Sequence, residues 1–353
     1  MLKPPCLNNF ASFYKIVKIK LLVSNIFRSA RYLILVDRRS ATSQFSRRSC
    51  SAGSSLAGEA QAGTAPITHL WLLLEYRATV GSKALEESSI PDSVKAHLST
   101  WLRGIQDARL LLIRQGRNGS QNRLNFFVAK TRDQAPLIYQ YRLNGYNDLL
   151  GFDIDDLVVD NPDESAHHYW RPLYVICTNG RRDPCCAKWG VSLYRRLYEV
   201  IGEDLWQSSH VGGHRFAANM VCFPYGIYFG RLRPDEALPF IVGLQNGQID
   251  LNHYRGRSYY PPPAQAGEYF LRKETGETYI SAFRLINCNE MTPGRWKIGF
   301  LSVAENLEYA LEIITETSSR SIFESCSSVD TTTFLTYRLD RMNTHLAFQR
   351  SRP

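Results

Sequence analysis

The stretch "VICTNGRRDPCCAKWG", from Val175 to Gly190, decides how this sequence folds and which chemistry it supports. Its apolar beginning predicts a buried strand that ends at Cys177, and the apolar spacing that follows Gly190 predicts a helix. Cys177, Cys185 and Cys186 place three of the eight cysteines of the chain within this strand–loop–helix passage. Such crowding points to metal or redox chemistry in a reducing compartment rather than to a disulfide framework.

A second stretch, "SSHVGGHRF" at residues 208–216, adds two histidines, His210 and His214. Thiolate and imidazole ligands suit zinc, iron and iron–sulfur clusters. Eight residues separate Cys177 from Cys186, which is too wide for the tight cysteine pair of a zinc finger but wide enough to wrap a two-iron cluster. The two glycines between the histidines each weaken a helix by about 1 kcal/mol. They therefore predict a loop that bends closely around a cofactor.

The remaining cysteines are open to simpler interpretations. Spacing alone does not choose between Cys185 and Cys186, and Cys185 can be a ligand, a resolving thiol or a packing residue. We expect Cys222, Cys288 and Cys326 to be small buried hydrophobic residues, because this is the commonest environment of a free cysteine.

The net charge of +9 is confined to the start of the chain. Residues 1–48 hold ten Lys or Arg and one acid, whereas the other 305 residues hold 32 basic and 32 acidic side chains. A neutral body predicts no nucleic-acid partner, because that binding needs a concentrated basic surface. Lysines and arginines interrupt the apolar run of the leader, so we also expect no integral membrane span. Residues 1–49 are expected to be a disordered or targeting extension, and the protein to be cytoplasmic, or in an organelle matrix if the leader is a transit peptide.

Turn residues and hydrophobic periodicity predict an α/β fold in two parts. Residues 50–160 are expected to form an N-terminal α/β domain, which opens with a flexible Gly-rich linker at 51–66; an acidic connector at 151–164 spans the boundary to the next domain. Residues 161–345 are expected to form a second domain, in which "YRGRSYYPPP" is a loop and two or three strands close the chain. We find no internal repeat in the sequence.

These motifs resemble the sucrase/ferredoxin-like family. The resemblance rests on "CTNGRRDPCCAKWGVSLY", "SHVGGHRFAANMVCFPYGIYFGRL" and "YRGRS", and it extends from Cys50 to Leu339. It implies a thioredoxin-like ferredoxin domain, preceded by the smaller α/β domain and followed by the closing C-terminal strands. It also implies a 2Fe–2S cluster, and it selects Cys186 over its neighbour. The implied ligands of the cluster are Cys177, Cys186, His210 and His214.

Such ligation predicts a redox function. Two neutral imidazoles in place of two thiolates raise the reduction potential, and their second ring nitrogens couple electron uptake to proton uptake. We therefore expect a one-electron carrier or redox sensor without independent catalytic activity, which acts with unidentified redox partner proteins. One alternative is a structural or interaction module in which the same four residues hold zinc. A thiol oxidoreductase that uses Cys185 and Cys186 is disfavoured, because no Cys-x-x-Cys pair follows the strand.

Overall fold

The computed structural model describes residues 49–116, 122–153, 158 and 166–346. The leader predicted at residues 1–49, apart from Ser49, and most of the acidic connector at 151–164 lie outside the described residues. The described residues all belong to one compact unit. In chain order, its helices and strands are α1 (Cys50–Leu56), β1 (Leu70–Glu75), α2 (Asp92–Gly104), β2 (Ala108–Arg114), β3 (Leu124–Lys130), β4 (Leu137–Leu143), β5 (Leu173–Cys177), α3 (Pro184–Ile201), β6 (Leu205–Ser208), β7 (Met220–Phe223), β8 (Ile227–Phe229), α4 (Ala237–Gln245), β9 (Tyr254–Arg257), α5 (Pro262–Thr275), β10 (Phe283–Thr292), β11 (Arg295–Ser302), β12 (Leu307–Ile322) and β13 (Thr332–Leu346).

Two sheets organise these elements. Among the described residues, the larger sheet has nine strands in the order β4-β3-β1-β2-β6-β5-β7-β8-β9, and the smaller has four in the order β10-β11-β12-β13. The pairs β1/β2 and β5/β6 are parallel, and each is connected through a helix, α2 or α3. The smaller sheet is antiparallel throughout. The predicted α/β class with closing C-terminal strands is therefore confirmed.

The two halves of the larger sheet repeat one arrangement. Each half consists of a strand–helix–strand unit with antiparallel strands added beside its first strand, two in the first half and three in the second. The halves meet where β2 and β6 pair antiparallel, with Ile113 opposite Ser208 and Arg114 opposite Gln207. Strands from both sides of residue 160 thus share one sheet, and the division into domains 50–160 and 161–345 stays a prediction.

The core lies on both faces of this sheet. Strands β1 and β5 are buried along their whole length, as expected for central strands whose apolar residues are covered on each side. One hydrophobic cluster crosses from half to half, and in it the rings of Trp71 and Phe223 lie 5.2 Å apart at an interplanar angle of 77°. Each fully buried large side chain contributes about 1.5–3 kcal/mol to folding, so the shared core holds the halves together.

A buried ion network links β9 to α5. The carboxylate of Glu268 accepts hydrogen bonds from Arg257 Nε at 2.9 Å and Arg272 Nη2 at 2.8 Å, and all three side chains are at most 2% exposed. The two guanidinium groups outweigh the effect of burial and lower the pKa of Glu268. The network fixes α5 between the two sheets, because α5 also packs on the C-terminal strands.

Three local predictions are wrong. The flexible linker begins as helix α1, whose N-terminus is capped by Ser49 Oγ, which accepts from Ala52 N at 3.4 Å. The loop that contains "YRGRS" begins as strand β9, which pairs with β8. Strand β10 was not predicted, because most of its residues are exposed or half-exposed and show no apolar alternation. Pairing with β11 stabilises its extended conformation instead.

Candidate metal centre

The topology brings the predicted ligands to one edge of the sheet. Parallel strands β5 and β6 end at the same edge, which is where α/β proteins commonly bind ligands. Cys177 is the last residue of β5, and His210 follows the end of β6 at Ser208 by two residues. Cys186 lies in the first turn of α3, directly beside this edge.

Two features set the position of α3. Asp183 caps its N-terminus, where Oδ1 accepts from Cys185 N at 2.8 Å, and Pro184 begins the first turn, a position where proline is favoured. Gly190 allows the helix to approach the strand, because a Cβ atom there would lie 2.1 Å from the carbonyl oxygen of Cys177. The sequence therefore needs a glycine at this point to bring Cys186 next to Cys177.

Three of the four predicted ligands form a compact group. The ligand atoms of Cys177, Cys186 and His210 all lie within 4.8 Å of one another. His210 Nδ1 lies 3.8 Å from the sulfur of each cysteine. Both cysteines are buried and His210 is half-buried, so one ring edge opens toward the surface while the sulfurs are screened from water.

The pKa values of the two thiols are shifted in opposite directions. A hydrogen bond from Cys186, assisted by His210, lowers the pKa of Cys177 despite its burial. The same hydrogen bond, together with burial, raises the pKa of Cys186. The lowered pKa of Cys177 favours the thiolate, which is the form of cysteine that binds metals.

His214 lies beside this group. It begins a short 3-10 turn, His214–Phe216, and its ring centroid lies 5.1 Å from that of His210. Its Nδ1 is buried, with no hydrogen-bond partner among the described residues. Burial lowers the pKa of His214, which favours the neutral ring that a metal ligand requires. The structure thus gathers all four residues, and their role as ligands stays a prediction.

Two buried polar residues that the sequence analysis missed hold the histidine loop. Arg255 Nη1 donates to the carbonyl oxygen of Gly212 at 3.1 Å and to Asn219 Oδ1 at 2.8 Å. Asn219 Nδ2 donates to the carbonyl oxygen of Gly213 at 2.8 Å. The backbone carbonyl oxygen of Asn219 accepts from Cys177 N at 3.1 Å. Arg255 lies in "YRGRS", a stretch that resembles the family but was predicted to be only a loop.

A second cysteine cluster lies at the same helix N-terminus. The ligand atoms of Cys50, Asp183, Cys185 and Cys326 lie within 4.8 Å of one another and could hold a metal ion. Cys326 was expected to be a packing residue, but its sulfur lies only 3.3 Å from that of Cys185. The expectation missed this, because Cys326 is far from the other two cysteines in the sequence. Cys222, in contrast, is buried in the hydrophobic core as predicted.

Comparison with known proteins identifies the family. The chain matches the sucrase/ferredoxin-like family over residues 55–256, which is more than half of its length. It therefore belongs to the sucrase/ferredoxin-like family, as its motifs predict.

Two curated relatives share part of the chain. "Altered inheritance of mitochondria protein 32" of Meyerozyma guilliermondii is 32% identical over 95 residues, which cover 24% of this chain and 34% of the relative. The protein of the same name from Saccharomyces kudriavzevii is 26% identical over 102 residues, which cover 25% of this chain and 33% of the relative. The chain thus spans about a third of the length of these relatives. No solved structure gives a significant match. Within the described residues, none of the helices has the length and apolar character needed to cross a membrane.

Proposed function

We propose that this protein is a one-electron carrier or redox sensor, in which Cys177, Cys186, His210 and His214 hold a 2Fe–2S cluster. The observation that carries the proposal is the convergence of two buried sulfurs and a histidine nitrogen within 4.8 Å at the ends of β5 and β6. These donors come from three separate elements of the fold. An ordinary hydrophobic core does not need this combination of side chains.

The residues fit such a cluster in two respects. A buried polar atom without a partner costs about 1–3 kcal/mol, and a metal would supply the partner that His214 Nδ1 lacks among the described residues. His214 also lies outside the compact group formed by the other three ligand atoms. Ligands divided between two irons do not all need to reach one ion, so this spacing favours the two-iron cluster over a single zinc.

The protein side chains would set the properties of the centre. When bound, the cluster accepts and releases one electron. Two neutral imidazoles leave the site less negative than four thiolates would, which favours a higher reduction potential. The half-buried histidine edge is also where we expect a redox partner protein to approach.

We further propose that the protein acts in mitochondria. The relatives are named for altered inheritance of mitochondria. Residues 1–48 are basic and almost free of acids, as transit peptides are. Both points favour the organelle alternative over the cytoplasm. Fractionation of cells that express the full chain with a C-terminal tag tests this, and a tag found only in the cytosol would contradict it.

Anaerobic purification tests the cluster itself. We expect about two irons and two sulfides per chain, visible absorption in the oxidised state, and an EPR signal of low average g value after dithionite reduction. His210→Ala and His214→Ala should lose iron, whereas Cys222→Ala, which changes a buried cysteine in a hydrophobic cluster without Cys177 or Cys186, should retain it. A colourless protein without iron after anaerobic reconstitution, whose zinc content falls in Cys177→Ser and His210→Ala, would instead establish the zinc module.

A further inference from the structure

The second cysteine cluster is assembled from three distant parts of the chain. Cys50 belongs to α1, Asp183 and Cys185 to the beginning of α3, and Cys326 to the segment between β12 and β13. The sulfur of Cys50 lies 3.6 Å from those of Cys185 and Cys326, which are 3.3 Å apart. The two carboxylate oxygens of Asp183 lie 3.7 and 3.6 Å from Cys50 Sγ.

These distances are close to the edges of a zinc coordination tetrahedron. Zn–S bonds of about 2.3 Å at tetrahedral angles place the sulfur atoms about 3.8 Å apart, and a Zn–O bond of about 2.0 Å places sulfur and oxygen about 3.5 Å apart. The observed separations of 3.3–3.7 Å fall near both values. The three sulfur–sulfur separations and the separation of Cys50 Sγ from the Asp183 carboxylate are thus close to those that a zinc ion requires.

The surroundings are those of a closed structural site. Cys50 and Asp183 are 1% exposed and Cys185 is fully buried, so water has little access to three of the donors. Three thiolates and a carboxylate around Zn²⁺ give a net charge of −2, which equals that of an ordinary four-cysteine zinc site. Ser49 Oγ and Ser51 Oγ lie 3.2 and 3.4 Å from Cys185 Sγ, where they can donate to a thiolate.

The carboxylate and one serine are themselves held in place. Asp183 Oδ2 accepts from Cys326 N at 2.8 Å, and Trp189 Nε1 donates to Ser51 Oγ at 3.2 Å. Outer hydrogen bonds of this kind orient metal ligands and strengthen binding.

We propose that Cys50, Asp183, Cys185 and Cys326 bind a structural zinc ion, separate from the centre formed by Cys177, Cys186, His210 and His214. The ion ties α1 and the β12–β13 segment to the beginning of α3. It thereby anchors two segments that are distant in sequence at the helix that carries Cys186. Zinc at this site requires no particular metal or cluster at the first centre.

A disulfide is the main chemical alternative for these cysteines. It would bring two sulfur atoms to about 2.05 Å, leaving the third thiol without a partner. Carboxylates beside thiols favour neither thiolate formation nor disulfide exchange, but they are accepted zinc ligands. The combination therefore favours the metal.

Measurement of zinc and iron in the same anaerobically purified full-length sample tests the proposal. We expect about one zinc per chain that survives dialysis against a mild chelator. Cys185→Ser and Cys326→Ser should lower the zinc content at least fivefold. Cys288→Ser is the matched control, because Cys288 is a half-buried cysteine outside both clusters, and it should leave zinc unchanged. Cys177→Ser should lower iron and leave zinc in place.

Asp183→Asn keeps the test decisive if the serine variants fail to fold. Asparagine preserves the helix cap but removes the charged ligand, so zinc should dissociate into the chelator at least tenfold faster while the circular dichroism spectrum stays unchanged. A folded wild-type chain without zinc, even after expression in added zinc, would overturn the proposal. So would zinc that responds to Cys177→Ser but not to Cys326→Ser, or a Cys185–Cys326 disulfide in peptides from the unreduced protein.

Discussion

Replacement of Gly190 by alanine should separate α3 from β5. The new Cβ would lie 2.1 Å from the carbonyl oxygen of Cys177, whereas ordinary contacts of a Cβ atom begin at 3.4 Å. Since the opposing atom belongs to the backbone of a central strand, it cannot rotate away. The helix must therefore move back by about 1 Å, and Cys186 moves with it.

The cost can be estimated from two opposing terms. Overpacking in a core costs about 1–3 kcal/mol, and a backbone contact this close belongs near the upper end. Replacement of a helical glycine by alanine stabilises the folded state by about 1 kcal/mol. We expect the free energy of unfolding to fall by about 1–2 kcal/mol, which lowers the melting temperature of a chain this size by a few degrees.

Denaturant unfolding, together with iron and sulfide analysis, provides the measurement. Gly104→Ala is the matched control, because Gly104 also lies in a helix but has open space around its would-be Cβ. It should stabilise the protein by about 0.5–1 kcal/mol and retain iron. Gly190→Ala should destabilise the protein and lower its iron content. An unfolding midpoint for Gly190→Ala at or above that of the wild type would refute the packing argument.

Three further substitutions test other parts of the molecule. His214→Cys should retain iron but lower the reduction potential by on the order of 100 mV or more, as measured by redox titration followed by EPR; an unchanged potential would remove His214 from the ligands. Glu268→Gln leaves the buried guanidinium groups of Arg257 and Arg272 without their carboxylate and should cost about 3–5 kcal/mol at neutral pH in denaturant unfolding. Because the folded state lowers the pKa of Glu268, the stabilisation by its carboxylate is complete above the pKa of an unfolded glutamate and is lost as the pH falls through the lower folded value. The difference in unfolding free energy between wild type and Glu268→Gln should therefore shrink at low pH. A difference that stays constant with pH would contradict the ionic explanation. Arg255→Lys removes the fork that holds Gly212 and Asn219, so iron should be lost to a chelator faster than from wild type, and equal rates would show that the loop needs no such support.

The elements around the candidate centre could be predicted from the sequence, because local patterns specify them. The continuous apolar runs of β1 and β5 match strands that are buried on both faces. Helix α3 was predicted only from Gly190 onward, but it begins at Pro184, after the aspartate cap. The glycines mark the loop between the histidines.

Features that depend on distant contacts could not be predicted. Strand β10 takes its order from pairing with β11, and α1 is a short helix of small residues whose buried face rests on the turn at His214–Phe216. The repeated halves of the sheet share strand order rather than residues, so the sequence shows no repeat. The proximity of Cys50 to Cys326 likewise follows from tertiary packing across most of the chain.

The adjacent residues Cys185 and Cys186 point into different clusters from one helical turn. Any displacement of the first turn of α3 therefore moves a proposed ligand of each cluster. If an ion at one cluster fixes this turn, it lowers the ordering cost of binding at the other, and thermodynamic linkage requires the same gain in the reverse direction. Loss of the ion at one cluster should accordingly weaken binding at the other without emptying it, because one peptide bond joins Cys185 to Cys186 and Cys186 N donates to the carbonyl oxygen of Asp183.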